Sequence, residues 1–187
     1  DKTPNEPDRW HWVHAEVSLG RRKPVFDIVT PDIAGESLMQ EIERPGTYPT
    51  ILALIARCSG LVVLVDTLRL TADGQAQELF AVQLLSYLDS LRANSRGQIT
   101  MPVALVFTKT DLCDDPIRDV EAFARSNAPA LYRLCQNRLN RFHFFCSGVA
   151  GSTGRLVDRM GQESLVPLRV EPRGVLEPFS WLMGMVR

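Results

Sequence analysis

No C-x-x-C pair occurs in this chain, and its four cysteines, Cys58, Cys113, Cys135 and Cys146, are scattered. The three histidines, His11, His14 and His143, do not fall at zinc-ligand spacing around them. A disulfide framework and a structural metal site are thereby disfavoured, and reduced cytoplasmic thiols are the expectation. Charge of one sign is also missing: 21 basic against 22 acidic side chains leave a formal net charge of -1. Neither nucleic acid nor an anionic membrane is expected as the main partner of so balanced a surface. No apolar run reaches about 18 residues, so no transmembrane segment is expected. Repeats and low-complexity stretches are lacking, as is a signal-peptide pattern. The opening Asp1-Lys2-Thr3-Pro4 carries no methionine, and a longer parent protein is the expectation.

What is present suffices for one core. The chain has 187 residues, 45% of them hydrophobic, and one domain over residues 10–187 is expected behind a polar lead-in at 1–9. Trp10 to Val17 alternates apolar and polar groups as a half-exposed strand does, and the basic turn Gly20-Arg21-Arg22-Lys23-Pro24 leads to a second strand, Val25 to Val29. The short connection predicts antiparallel pairing. Thr50 to Cys58 reads as a short helix. Leu61 to Asp66 (LVVLVD) and Val103 to Phe107 (VALVF) are continuous apolar runs, the signature of strands buried on both faces. Phe142 to Ser147 reads as a third central strand. Gln75 to Arg92 carries its apolar residues at helical spacing. Ile117 to Leu139 reads as helical with a break at Asn127-Ala128-Pro129, and Val175 to Val186 as a last helix. Residues 148–173 are rich in glycine and proline and remain unassigned. This order predicts a three-layer α/β domain: a mostly parallel sheet, one antiparallel edge strand, and helices on both faces.

In such sheets ligands sit beyond the carboxyl ends of the strands, so the residues just after each strand matter most. Three of these ends carry suggestive groups. In Thr108-Lys109-Thr110-Asp111, one intervening residue turns Lys109 and Asp111 to the same side. A carboxylate there can accept two parallel hydrogen bonds from guanine, and the lysine stem can lie along a base. Asp111 equally suits a helix cap or a turn. In Asp32-Ile33-Ala34-Gly35-Glu36, Asp32 can hold a water of a Mg²⁺ shell, and Gly35 can bring its backbone N–H close to a phosphate. A simple β-turn explains the same residues. At Ser147-Gly148 the glycine amide can meet a base oxygen and Ser147 can brace the loop. A strand ending in small residues reads identically.

Taken together and in this order, the three segments resemble the P-loop GTPases of the translation-factor-related class, most of all the bacterial Ras-like or double-GTPase type domains. Asp32 to Gly35 matches the family's D-x-x-G, Thr108 to Asp111 its [NT]-K-x-D, and Ser147-Gly148 its S-A loop, with glycine for alanine and Val149 where a lysine is usual. The resemblance runs from Trp10 to Arg187. It implies that Thr108, Lys109, Asp111, Ser147 and Gly148 contact guanine. It further implies that Gly35 contacts the terminal phosphate, that Asp32 reaches Mg²⁺ through water, and that GTP or GDP is bound with Mg²⁺. Asp32 to about Thr50 would be a switch segment. Glu36 stands where many members place a water-orienting glutamine, so it is the catalytic candidate; a helix-terminal charge is its other reading. The family's G-x-x-x-x-G-K-[ST] does not occur in the chain. The first strand, P-loop and first switch are expected ahead of Trp10. In the intact protein the implied activity is switch-type GTP hydrolysis with a protein partner. The alternative is a nucleotide-free scaffold, and a receiver-like or flavodoxin-like domain is a third reading, with Asp66 as the only strand-end phosphoacceptor candidate.

Overall fold

The computed structural model describes residues 10–18, 25–72, 74–113 and 117–186; the expected lead-in at 1–9 and the basic turn at 20–24 lie outside them. The protein is α/β, with a three-stranded parallel sheet, two antiparallel ribbons and seven α-helices among the described residues.

Strands β1 (Trp12–Ser18) and β2 (Val25–Pro31) pair antiparallel from Trp12 opposite Pro31 to Ser18 opposite Val25. They form a ribbon of their own and are not hydrogen-bonded into the parallel sheet. The expected single sheet with an antiparallel edge strand is therefore corrected to two separate pieces. The short connection favours local pairing, whereas a junction with β3 would have to form across the intervening helices α1 (Gly35–Glu43) and α2 (Pro49–Arg57).

Strands β3 (Leu61–Asp66), β4 (Val103–Thr108) and β5 (Phe142–Cys146) lie parallel in that order. Asp66 stands opposite Thr108 and Phe107 opposite Cys146, so all three strands end on one rim. Central β4 is buried from Val103 to Phe107. The flanking strands are not buried on both faces as their composition suggests: Leu64 is 60% exposed and His143 is also exposed. An apolar run looks the same at a sheet's centre and at its edge, because composition does not report how many neighbours the strand has.

Alternation along the strands sorts the helices. On one side Phe107 meets Phe123 of α5 (Val120–Asn127) edge-on at 5.1 Å between centroids, and Phe144 stacks on Tyr132 of α6 (Pro129–Arg138) at 5.9 Å. Val63, Val65, Leu105 and Leu88 of the long helix α4 (Gly74–Arg92) share this buried core. Residues of the other parity meet α7 (Glu177–Met185): Trp181 lies 6.1 Å from His143 and 6.0 Å from Phe145. Helices α1 and α2 pack on α4, and the short α3 (Thr67–Ala72) follows β3 directly.

The expected break at residues 127–129 separates α5 from α6. Both starts are capped by carboxylates. Asp119 accepts from the Glu121 and Ala122 amides at 3.0 and 2.9 Å, while Glu78 of α4 accepts from Ala130 and Leu131 at 2.6 and 3.0 Å.

The unassigned stretch forms a second antiparallel ribbon, β6 (Gly148–Val157) with β7 (Glu163–Arg173). Its main contact with the body is the single 3-10 turn Thr110–Leu112. Glycines and prolines masked its alternation in the sequence, yet Leu156, Met160 and Leu168 stand exposed along it. Three of its arginines are paired at the surface, Arg155 with Glu163 and both Arg169 and Arg173 with Glu171.

Candidate functional site at the ends of β4 and β5

Because β3, β4 and β5 end flush, the residues leaving them converge. Ser147 donates its amide to the Phe107 carbonyl at 2.8 Å, continuing the ladder by one residue. Its own carbonyl accepts from the amide and hydroxyl of Thr110, each at 3.2 Å. The two loops expected to read a base are thus tied to each other. Thr108 donates its hydroxyl back to the Val65 carbonyl at 3.3 Å.

Lys109 is the single non-glycine residue with positive φ among the described residues, at φ 60° and ψ 28°. An extended side chain rarely occupies this region without constraint, and such outliers cluster at functional sites. The conformation sends the Lys109 ammonium to Asp66, 2.7 Å from Oδ2. Burial alone would push the Asp66 carboxyl up. The hydrogen bond from Lys109, the Arg69 amide and the two positive charges outweigh it and hold the carboxyl below its usual range. Asp66 is a site residue that the base motif alone does not indicate. Parallel pairing of two strands with flush ends was the available signal, since it sets Asp66 beside Thr108.

Asp111 turns inward. Its Oδ2 accepts from the Ala150 amide at 2.8 Å and from the Val149 amide at 3.3 Å. A Cβ on Gly148 would stand 2.7 Å from Asp111 Oδ1 and 2.8 Å from its Cβ, so glycine is needed at 148 for the two loops to meet. Gly174, at φ +65°, has the same role at the other foot of the ribbon, where a Cβ would strike the Cys146 carbonyl. Gly148→Ala is expected to destabilise the protein by about 1–3 kcal/mol by overpacking. Urea unfolding measures it, and an unchanged midpoint would show that Asp111 yields freely.

Thr108, Lys109, Asp111, Ser147 and Gly148 all line one cavity of about 580 Å³. Its floor is apolar, made by Val62, Leu64 and Val106 of the sheet and by Pro178 and Phe179 of α7. Asp32, Gly35 and Glu36 are not among the lining residues. Asp32 donates its amide to the His11 carbonyl at 2.7 Å, and Gly35 and Glu36 open α1. The first-turn position of Glu36 suits the helix dipole. The structure therefore brings together the five base-reading candidates and leaves the phosphate and metal candidates outside that cluster.

Residues 32–50, expected as a switch, contain α1 and a turn pinned by Glu41. This fully buried carboxylate accepts from the Gly46 amide at 2.8 Å, the Tyr48 amide at 2.6 Å and the Tyr87 hydroxyl at 2.5 Å. All four cysteines are free thiols, and burial pushes Cys135 up to about 12 and, with the Cys113 charge, Cys146 up to about 11. Among the described residues no three His, Cys, Asp or Glu side chains group as metal ligands, and no helix is long and apolar enough to cross a membrane. No family model, no curated protein and no solved structure matches the chain.

Proposed function

We propose that this chain is a guanine-nucleotide-binding, GTPase-like domain of the P-loop class. One observation carries the reading: residues from two segments nearly 40 positions apart, Thr108 to Asp111 and Ser147-Gly148, line a single cavity at the strand ends. Asp111 would select the base through guanine's paired donors, and the Lys109 stem would lie along its face. The positive φ of Lys109 is the kind of local strain that a binding loop holds. Gly35 would meet the terminal phosphate. Asp32 would hold Mg²⁺ through water; this needs no cluster of ligands, because Mg²⁺ keeps several waters and takes most remaining contacts from phosphates. Among the described residues no strand pairs with the outer edge of β3, which leaves room for the further parallel strand that a three-layer GTPase architecture would need.

A second reading has its own support. Lys109 is paired with Asp66, and Asp111 with two backbone amides, so neither group needs a ligand to be satisfied. A nucleotide-free interaction module would look like this. The Lys109–Asp66 pair also suits a phosphoacceptor aspartate, but among the described residues no acidic cluster stands ready to hold the metal that such chemistry uses.

Equilibrium titration of the intact protein, with its phosphate-binding front end, with Mg²⁺ and either GDP or ADP separates these readings. Two charge-assisted hydrogen bonds at about 1.5–3 kcal/mol each predict a preference for GDP of roughly 10²–10⁴-fold. Equal affinity for both nucleotides removes Asp111 from the role of base reader. Binding of neither favours the interaction module.

A further inference from the structure

We propose that Asp111 is a shared acceptor that couples base occupancy to the β6–β7 ribbon, so that the ribbon reports whether the pocket is filled. The inference rests on the base-pocket reading given above and adds a mechanical consequence to it.

The argument is one of lone pairs. A carboxylate offers about four acceptor positions, two on each oxygen. On Asp111, Oδ2 already takes two donors, the Ala150 and Val149 amides at 2.8 and 3.3 Å. Oδ1 is packed over Gly148, 2.7 Å from where a Cβ would stand. A base that presents two parallel donors needs both oxygens in one plane. It cannot engage Oδ2 without displacing one amide or both. The Val149 amide, at 3.3 Å, holds less strongly and is released first.

Those amides belong to the first residues of β6. Among the described residues the ribbon has no other comparable attachment to the body: beyond its own pairing, its main contact is the turn that carries Asp111. A two-stranded ribbon is marginal when it stands alone, so loss of its anchoring hydrogen bonds loosens it along its length. Coupling is reciprocal: whatever stiffens the ribbon on Asp111 weakens base binding by the same factor. The exposed Leu156, Met160 and Leu168 lie on this arm, where a change in its order alters what the surface presents.

Amide hydrogen exchange on the intact protein, with its phosphate-binding front end, tests the coupling. Exchange over residues 148–173 is compared with and without saturating Mg²⁺–GDP, and calorimetry under the same conditions reports binding. The expected result is exchange at Val149, Ala150 and the rest of the ribbon at least about tenfold faster with GDP, while β4 is unchanged. In the ligand-free Asp111→Ala protein, the same amides exchange faster to a similar extent. GDP binding without any change in the ribbon overturns the coupling and leaves the base pocket standing. Absence of GDP binding removes both. Unchanged exchange in Asp111→Ala, checked against Asp111→Asn in case the alanine variant fails to fold, also overturns it.

Discussion

Replacing Glu41 by alanine is expected to cost about 3–5 kcal/mol of stability, because it empties a buried site and removes the acceptor shared by the buried Tyr87 hydroxyl and the partly buried Gly46 and Tyr48 amides. Glu41 has no solvent exposure, and the Gly46 amide, the Tyr48 amide and the Tyr87 hydroxyl all point at it. Each orphaned buried donor costs about 1–3 kcal/mol, partly recovered if water enters the space left behind. For a chain of this size the loss corresponds to about 6–20 °C in Tm. Glu41→Gln is expected to fall between: it keeps the volume and one acceptor, but turns an NH₂ towards groups that are themselves donors.

The pH dependence of this effect has a definite sign. Burial would push the Glu41 carboxyl up, but hydrogen bonds from Gly46, Tyr48, Tyr87 and Thr47 outweigh it and hold the carboxyl below its ordinary value of 4.5. Its contribution is therefore complete above that value and is lost as pH falls through the lower folded value. The gap in stability between wild type and Glu41→Ala should be constant at neutral pH and should narrow in acid, the cavity and the remaining carbonyl acceptor keeping it from vanishing. Burial and the neighbouring carboxylate push the Tyr87 phenol up, so it remains a donor throughout. Thermal melts from neutral pH into acid measure all of this. A Tm difference under about 2 °C at neutral pH would show that the three donors find other partners. Any displacement of residues 32–50 would carry the turn with its helix, because releasing the turn alone would break the Glu41 contacts.

How much of this was legible beforehand depends on whether a feature is local. The helix at Gly74–Arg92, the buried strand at Val103–Thr108 and the break before Pro129 are written in neighbouring residues, and periodicity or proline chemistry reads them directly. The gathering of Thr108–Asp111 with Ser147-Gly148 was legible from strand order. Features that depend on partners far along the chain were not. Glu41 lies in the stretch expected only as a switch segment, and nothing local marks it as buried; the donors of the turn at residues 44–48 and Tyr87, 46 positions on, make it a core residue. Lys109 and Asp66 are 43 residues apart and meet only once β3 and β4 are in register. The β6–β7 ribbon was hidden because glycine and proline, which usually mark turns, here lie within strands: Gly148 and Gly154 make room for Asp111 and Leu168. The open edge of β3 was invisible for a related reason, since LVVLVD states that the strand is apolar and not how many neighbours it has.

Asp111→Asn is expected to lower GDP affinity by roughly 10²–10⁴-fold and to transfer the preference to xanthosine diphosphate. The direction follows from the surroundings of the side chain. The Ala150 and Val149 amides are donors beside Oδ2, and the Ala150 amide, at 2.8 Å, is the one that holds longest when a base enters. In the variant they will select the Asn carbonyl for that position, because an NH₂ placed there would face donors. The NH₂ is then left to face the cavity. Guanine brings two donors to this edge, so one of them meets the NH₂ and one hydrogen bond is replaced by a repulsion. Xanthine keeps the ring N–H but carries an oxygen in place of the exocyclic amine, which matches a donor in the site. A pocket that recognises a ligand through paired polar groups rejects the mismatched ligand strongly, because the buried groups are otherwise left unpaired. Shape is conserved between Asp and Asn, so packing against Gly148 is preserved and the change reports on recognition. Parallel titrations of wild type and variant with the guanine, xanthine and adenine diphosphates provide the measurement. A variant that binds GDP as wild type does, with no gain for the xanthine nucleotide, would place the base elsewhere and leave Asp111 solely as the anchor of β6.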